Sequence, residues 1–396
     1  MQRDNAYDFG GGGQRMVRVA MVVTNACAPD PRVLRHARWL HATGCEVTVH
    51  AFDRDMDHPM SENHEGVRIM RYRIAQTPYG GTWTTYRGVR AFHRRVIRTL
   101  LHDPPALVYC HDADTLRVGV ALKQQRNVPF VFDMHDLQHT WVRYPSPESK
   151  VRGVIAGQMK QRMLTRAGQA DLILTSSSEV GGQHQGFVQW LEHHGLTGVS
   201  VENRPEPPFT LPERPSNDGW TVGYVGRVRD MKAVEVMLKA VRSLPPHQRP
   251  TVRIAGDGVA ASAVRRHLMD LVEQGEINAE VTGAFTQTDL PNILAQLDVM
   301  FAMYTPLRGN ILQGALPVKM FDAAAHGIPT VVNDGCLMAD VAQMEGLGVP
   351  APWNDPVAIG EAMLQAKEMN VALEQDGERE HHRWLAAMQP LLAELQ

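Results

Sequence analysis

Apolar residues recur along the chain in two alternating rhythms, continuous short runs and stripes spaced three and four apart. Val17 to Thr24 (VRVAMVVT) is a continuous run and reads as a strand buried on both faces. The loop NACAPDP follows, in which Asp30 can cap a helix and Pro31 can occupy its first turn. That helix carries Val33, Leu34, Ala37 and Leu40 on one face and stops at Gly44; Glu46 to Phe52 is the next strand. Strand, helix and strand with short connections form a βαβ unit, for which a right-handed crossover is expected. The rhythm continues through strands at Val67–Tyr72, Ala106–Tyr109, Phe130–Asp133, Asp171–Thr175 and Val199–Val201. This predicts a doubly wound α/β domain, whose ligands sit beyond the carboxyl ends of the strands.

Between Asn203 and Gly219 the pattern lapses into NRPEPPFTLPERPSND, whose five prolines predict a stiff interdomain linker. A second α/β rhythm then begins with the strand Thr221–Val228 and a helix carrying Val234, Met237, Leu238 and Val241. Thr251–Ala255, Glu280–Thr282, Val299–Tyr304 and Thr330–Asn333 supply further strands, joined by helices around Val264–Val272 and Leu290–Leu297. Late in this half, Arg308 to Pro329 (RGNILQGALPVKMFDAAAHGIP) reads as a loop feeding a short helix. Gly309 and Gly314 loosen the loop, Pro317 suits the first helical position, and Gly327 suits the position just past the helix end. Lys319, Asp322 and His326 share one helix face, while Phe321, Ala324 and Ala325 face away and can pack on a sheet.

Composition sets bounds on these readings. The chain has 396 residues, room for two domains, with 43% hydrophobic and 21% charged residues, a globular balance. A net charge of -3 gives it no overall pull on nucleic acid. No run approaches the ~18 apolar residues of a membrane span, and the opening MQRDNAYDFGGGGQRM reads as a disordered tail rather than a signal peptide. Cys27, Cys45, Cys110 and Cys336 are scattered without a C-x-x-C pair, which predicts reduced thiols in a cytoplasmic protein and no cysteine zinc site. Two stretches, Arg87 to Leu101 and Val151 to Arg166, are basic and partly amphipathic. They read either as solvated helix faces or as contacts with an anionic acceptor or the inner face of a membrane.

Candidate chemistry falls at the strand ends. His111, Asp112 and Asp114 follow one strand, Asp133, His135 and Asp136 the next, Thr175 to Ser178 a third, and Asn203 with Arg204 the last. Histidines and acids drawn from separate loops, without a local pattern such as H-E-x-x-H, do not argue for a metal. Arg227 and Lys232 flank the first strand–helix connection of the second half, where a planar fork and a point charge can grip a diphosphate. Positive charge at a helix start opposes the helix dipole, which calls for a compensating anion. Gly256-Asp-Gly-Val-Ala-Ala261 fits the dinucleotide fingerprint G-x-G-x-x-A, but it does not open its domain and reads as a tight turn. The helix entered from the Gly309–Gly314 loop is a natural anion site, suited to a nucleotide-linked donor.

The stretches DPRVLRHARWLHATGCEVTVHA, VGYVGRVRDMKAVEVMLKAV, VRIAGDG and LPVKMFDAAAHGIPTVV together resemble family-4-type glycosyltransferases of the GT-B fold, over about residues 16 to 370. The resemblance implies two Rossmann-like domains facing each other across a cleft: an acceptor-binding domain at 16–203, a linker at 204–218, and a nucleotide-sugar-binding domain at 219–372. The tail is 1–15, and a helix within 373–396 would pack back on the first domain. It further implies hexosyl transfer from a nucleoside diphosphate sugar, UDP- or GDP-linked, with retention of configuration and without a metal or other cofactor. The acceptor would be a small molecule, a glycan or a lipid-linked group.

Arg227 and Lys232 match the family's diphosphate-binding pair, Asp322 the second acid of its E-x7-E motif, and His135 the histidine near the transferred sugar. The site expected from residues and resemblance together is therefore catalytic at His135, Arg227 and Lys232. It holds the donor at Gly226, Gly256, Asn310, Gln313, Leu316, Lys319 and Asp322, and faces the acceptor with Asp30, Arg32, His111, Asp112 and Asp136. Three departures stand out: the first acid of E-x7-E falls at Gly314, the second is Asp rather than Glu, and NACAPDP lacks paired glycines. The missing acid leaves room for Asn310 or Gln313 to take over its hydrogen bonding. It also keeps two alternatives open, a non-catalytic nucleotide-binding scaffold and a nucleotide-sugar epimerase.

Overall fold

The computed structural model describes residues 16–74, 76–77, 83–205, 211–213, 219–373 and 376–395. The predicted tail 1–15 and most of the proline-rich linker lie outside the described residues.

Eight strands form the first sheet: β1 Arg18–Val23, β2 Glu46–Phe52, β3 Ser61–His64, β4 Val67–Tyr72, β5 Leu107–His111, β6 Phe130–Met134, β7 Leu172–Thr175 and β8 Val199–Ser200. Their order is β3-β4-β2-β1-β5-β6-β7-β8. β1 pairs in parallel with β2 and β5, and β2 with β4. The edge strand β3, which the sequence reading lacks, runs antiparallel to β4 and is mostly exposed. Its sequence SENH has no apolar residue to signal it. Helices α1 Pro31–Ala42, α2 Trp83–His102, α3 Asp112–Arg126, α4 Gln138–Arg143, α5 Lys150–Ala167 and α6 Phe187–Glu192 connect these strands.

The second sheet holds β9 Thr221–Val225, β10 Thr251–Ala255, β11 Asn278–Thr282, β12 Val299–Phe301, β13 Thr330–Asn333 and β14 Gly348–Ala351. Its order is β11-β10-β9-β12-β13-β14, with every pair parallel. This is the Rossmann order, and its direction reverses between β9 and β12, where a crevice opens at the carboxyl ends. The accompanying helices are α7 Lys232–Ser243, α8 Ala261–Glu273, α9 Leu290–Leu294, α10 Val318–Ala325, α11 Leu337–Met344, α12 Pro356–Lys367 and α13 Asp376–Ala393. Val234, Met237, Leu238 and Val241 of α7 are buried against Val222, Val252, Ile254 and Phe301, as their spacing predicts.

Grouped by proximity, the described residues fall into two compact units. One takes the chain up to Phe132 with Gln169–Leu172 and Ala386–Gln396; the other takes Asp133–Gly168 and Ile173–Leu385. In the second unit Arg204 corrects a reading of the sequence. Taken as one of the polar strand-end residues, it is instead 1% exposed and structural. Its guanidinium donates to Glu202 at 2.6 Å, forks onto both oxygens of Glu345 at 2.6 Å, and lies 4.4 Å from the Phe321 ring. Glu380, from α13, accepts from the Glu202 backbone N–H at 2.6 Å and pairs with Arg379 and Arg383, so three cations balance three acids. Breaking one partner of a buried ionic network leaves an uncompensated charge, at a cost of about 3–5 kcal/mol. Arg204→Ala should therefore lower the urea midpoint far more than the exposed Arg18→Ala, whose pair with Asp103 lies at the surface. Equal midpoints would show the network to be idle.

The four cysteines are buried and unbridged. Burial pushes the Cys27 and Cys110 thiols up to about 12, which makes them inert. No helix among the described residues is long and apolar enough to cross a membrane.

Candidate functional site

The carboxyl end of β9 turns sharply at Gly226, whose φ is 110°. The β10 turn closes on it so tightly that a Cβ at Gly256 would lie 1.9 Å from the Gly226 carbonyl oxygen, and one at Gly258 2.3 Å from that of Val228. The G-x-G-x-x-A match is thus explained by backbone packing between two turns, without a dinucleotide.

Past Gly226, Arg227 and Lys232 are both exposed, and neither side chain pairs with another described residue. Lys232 is the first residue of α7, and the Met231 N-cap provides no side-chain acceptor. Asp230 partly fills that role by accepting from the Ala233 N–H at 3.3 Å. It also accepts from the Tyr144 hydroxyl through a short hydrogen bond. Burial, then this carboxylate, pushes the Tyr144 hydroxyl above its ordinary range.

The loop after β12 supplies the other wall. Pro317 is the N-cap of α10 and the helix begins at Val318, one residue later than the sequence predicts; no side chain caps it. Gly327 follows with φ 71°, as expected for a residue past the helix end. Lys319 is in the first turn, and its stem passes beneath Gly226, where a Cβ would lie 3.2 Å from Lys319 Cε. Its Nζ is sealed from solvent and has no hydrogen-bond partner among the described residues. It sits 3.4 Å from the centre of the Tyr224 ring, which compensates in part through a cation–π contact. Burial, then the positive Arg308 and Arg229, brings its pKa down to about 7. Asp322 is one turn further on; His326 bonds through Nδ1 to the Asp322 carbonyl at 2.8 Å.

The segment after β6 reaches the same loop. Asp136 accepts from the Asn310 amide at 2.9 Å and from the Trp141 indole N–H at 2.6 Å. The guanidiniums of Arg308 and Arg229 lie 4.5 and 5.0 Å from the Trp141 ring. The other amide atom of Asn310, Oδ1, is buried and has no hydrogen-bond partner among the described residues. Gln313 donates to the Gly309 carbonyl at 2.9 Å, and Leu316 is buried. His135 Nε2 is 2.8 Å from the buried Asp133 carboxylate, which helps to fix the ring. Trp141, Tyr144, Tyr224, Arg229 and Arg308 were not legible as site residues. Arg229 and Arg308 carry no motif, and only the fold brings them onto Trp141.

Gly314, where the first acid of E-x7-E would fall, is enclosed by backbone. Its φ is 105°, a Cβ would lie 2.6 Å from the Gln185 carbonyl oxygen and 2.8 Å from Gly186 Cα, and its own carbonyl accepts from Ser177 Oγ at 2.6 Å. Ser177 is therefore a structural hydroxyl.

The predicted acceptor-side residues Asp30, Arg32, His111 and Asp112 belong to the first unit. Asp30 is the N-cap of α1: one oxygen accepts from the Val33 N–H at 3.2 Å, the other from the Asn25 amide at 2.8 Å. Its hydrogen-bonding role is thus a helix cap, the plainer of its two readings. Arg32 and His111 are buried, and Asp112 opens α3 with φ 64°. A separate concavity of about 620 Å³, lined by Trp220, Thr221, Thr251 and Arg253, opens at the amino-terminal ends of β9 and β10. That is the opposite end of the sheet from the crevice.

Residues 28–190 match the family described as glycosyl transferase 4-like domain, and residues 219–368 match glycosyl transferases group 1. An uncharacterized glycosyltransferase of Methanocaldococcus jannaschii is 23% identical over 345 residues, 82% of this chain and 81% of that one. In fold the chain is similar to sucrose-phosphate synthase of Thermosynechococcus elongatus, with a TM-score of 0.73, 16% identity, and coverage of 96% and 99% of the two chains. It is also similar to Anabaena HepE, solved in complex with UDP and glucose, with a TM-score of 0.61, 13% identity and coverage of 96% and 99%. The chain belongs to the family-4-like glycosyltransferases of the GT-B fold.

Proposed function

We propose that this glycosyltransferase moves a hexosyl unit from a nucleoside diphosphate sugar, UDP- or GDP-linked, to an acceptor, with retention of configuration and without a metal. A first domain of residues 16–203 would serve the acceptor and a second of 219–372 the donor. The observation that carries this reading is the unpaired positive charge at the β9–β12 crevice: Arg227 and Lys232 exposed, Lys319 sealed beneath Gly226. As the glycosidic bond breaks, negative charge grows on the leaving diphosphate. Preorganised cations and the uncapped N–H groups of α10 stabilise it there, the effect that usually dominates catalysis. Asp322 would hold the ribose hydroxyls, and Asn310 Oδ1 would accept from a sugar hydroxyl in place of the missing acid. His135, held by Asp133, would hydrogen-bond the sugar or orient the acceptor.

A thermal-shift screen against UDP, GDP, ADP and TDP tests the donor half. A diphosphate at a hundred times its Kd stabilises the folded state by about 2.7 kcal/mol. No shift with any of the four would overturn the reading. The HepE complex with UDP supports uridine as the first to try. Product analysis with the matching nucleotide sugar, with and without acceptor, separates transfer from epimerisation, and the anomeric configuration of the product tests retention.

The closed backbone at Gly314 favours one second reading, a nucleotide-binding scaffold without turnover. It also yields a prediction. Gly314→Glu restores the motif on paper, but φ of 105° and a carbonyl 2.6 Å from the new Cβ exclude the side chain. The variant should lose at least about 2 kcal/mol of stability and gain no activity. A well-folded Gly314→Glu protein with raised turnover would contradict the geometry.

A further inference from the structure

The first unit holds a second cationic feature. Between α2 and the β3–β4 edge lies a concavity of about 790 Å³ at the carboxyl end of β4. The helix side carries Arg94, Arg95 and Arg98, all exposed and none in an ion pair with a described residue. The sheet side carries Met60, Met70 and Ile74, with Met60 66% exposed. Arg71 and Arg73 also line it, but Glu62 and Asp53 already neutralise them. Among the described residues, no acidic one lines the concavity.

The helix itself is unusual in charge. WTTYRGVRAFHRRVIRTLLH has five arginines and no acid, and Arg90, Arg94 and Arg98 follow one another at i, i+4 and i+8. Like charges at that spacing repel and weaken a helix; Arg90 is held by the Tyr86 hydroxyl at 2.7 Å, whereas Arg94 and Arg98 have no such partner among the described residues. Three free guanidiniums offer planar forks that match phosphate oxygens. Two methionines and an isoleucine opposite them offer adaptable apolar surface. Trp83, 70% exposed and stacked 5.4 Å from Tyr86, extends the same helix face with the aromatic chemistry of a lipid–water boundary.

We infer that this concavity binds a phosphate-bearing amphiphile, with the phosphate on Arg94, Arg95 and Arg98 and the alkyl chain on Met60, Met70 and Ile74. The inference deepens the acceptor half of the proposed function and rests on it only in treating the ligand as an acceptor or its lipid carrier. Such a ligand can come as a dispersed phosphate-linked molecule or as a bilayer headgroup.

Calorimetric titration of the full chain with dihexanoyl phosphatidic acid, below its micelle concentration, tests the pocket directly. Inorganic phosphate and dihexanoyl phosphatidylcholine serve as the probes that lack one feature each. Phosphatidic acid should bind at least tenfold tighter than either. Arg94→Glu/Arg98→Glu should weaken it tenfold or more, in keeping with about fivefold per basic residue at an anionic surface. Met60→Asp, at an exposed position, should weaken phosphatidic acid and leave inorganic phosphate unchanged. Both variants should keep the wild-type melting temperature and its shift with nucleoside diphosphate, so this inference and the donor reading fail separately. Equal affinity in wild type and double variant overturns the inference. So does binding to phosphatidic acid vesicles without binding to the dispersed lipid, which would make α2 a membrane-facing surface and not a pocket.

Discussion

Lys319→Met will leave the fold intact and remove most of the affinity for a nucleoside diphosphate. The expected loss is about 2–5 kcal/mol, the cost of truncating one partner of a buried charge pair. That corresponds to roughly thirtyfold to several-thousandfold in Kd. Methionine has nearly the shape of the lysine stem and no charge to desolvate, so the unliganded variant should melt at or above the wild-type temperature.

The pH dependence gives the same residue a sharper signature, because folding and binding respond in opposite directions. The amine titrates near 7 in the folded protein against 10.5 for an ordinary lysine, chiefly because it is buried and secondly because Arg308 and Arg229 are near. Between those values the unfolded chain holds a proton that the folded chain has released. Stability of the unliganded protein therefore rises with pH across that window, by at most about 1.4 kcal/mol per unit, and is flat below it as far as this group is concerned. A diphosphate beside Nζ favours the charged amine and raises its pKa. Above pH 7 binding then takes up a proton, and affinity falls by up to about tenfold per pH unit. Calorimetry at pH 6.5 and 8.5, in buffers of different ionisation enthalpy, counts that proton. Wild-type protein with equal Kd at both pH values, or a Lys319→Met variant with an undiminished melting shift, would remove Lys319 from the site.

The residues that made the fold legible differ in kind from those that make up the crevice. The continuous apolar runs of β1, β9 and β10 and the i, i+3, i+4, i+7 stripe of α7 are signals of burial, and burial is what a parallel α/β sheet demands. Arg227, Lys232, Lys319 and Asp322 were legible because motif spacing fixes them to a strand end or a helix start. Arg204 was misread for the same reason, since position alone cannot tell a site arginine from one locked by Glu202 and Glu345. Arg229, Arg308 and Trp141 were silent because their meaning lies in contacts across 88 and 167 residues of chain, from 141 to 229 and 308. The Gly314 position was legible as a missing acid but not as a closed one. That distinction needs the backbone of Gln185 and Gly186, which no local pattern places there.

Arg227→Ala and Lys232→Ala should each cost about 10²–10³ in turnover while leaving the protein as stable as the wild type. Both side chains are exposed and have no partner among the described residues, so neither truncation orphans a buried group, and surface changes of this kind stay within about 0.5 kcal/mol. Lys232→Ala should even gain slightly, because it removes a positive charge from the start of α7 while the Asp230 cap remains. The loss in turnover follows from timing. The diphosphate bears more charge in the transition state than in the bound donor, so these cations act most strongly as the bond breaks. The prediction is therefore a kcat that falls further than the affinity for UDP or GDP. Arg227→Lys keeps a charge but loses the planar fork, and should fall between wild type and alanine. Near-normal kcat/KM in both alanine variants would mean that the leaving group is stabilised elsewhere. A Kd loss without a kcat loss would make the pair a grip for the nucleotide and not part of the chemistry.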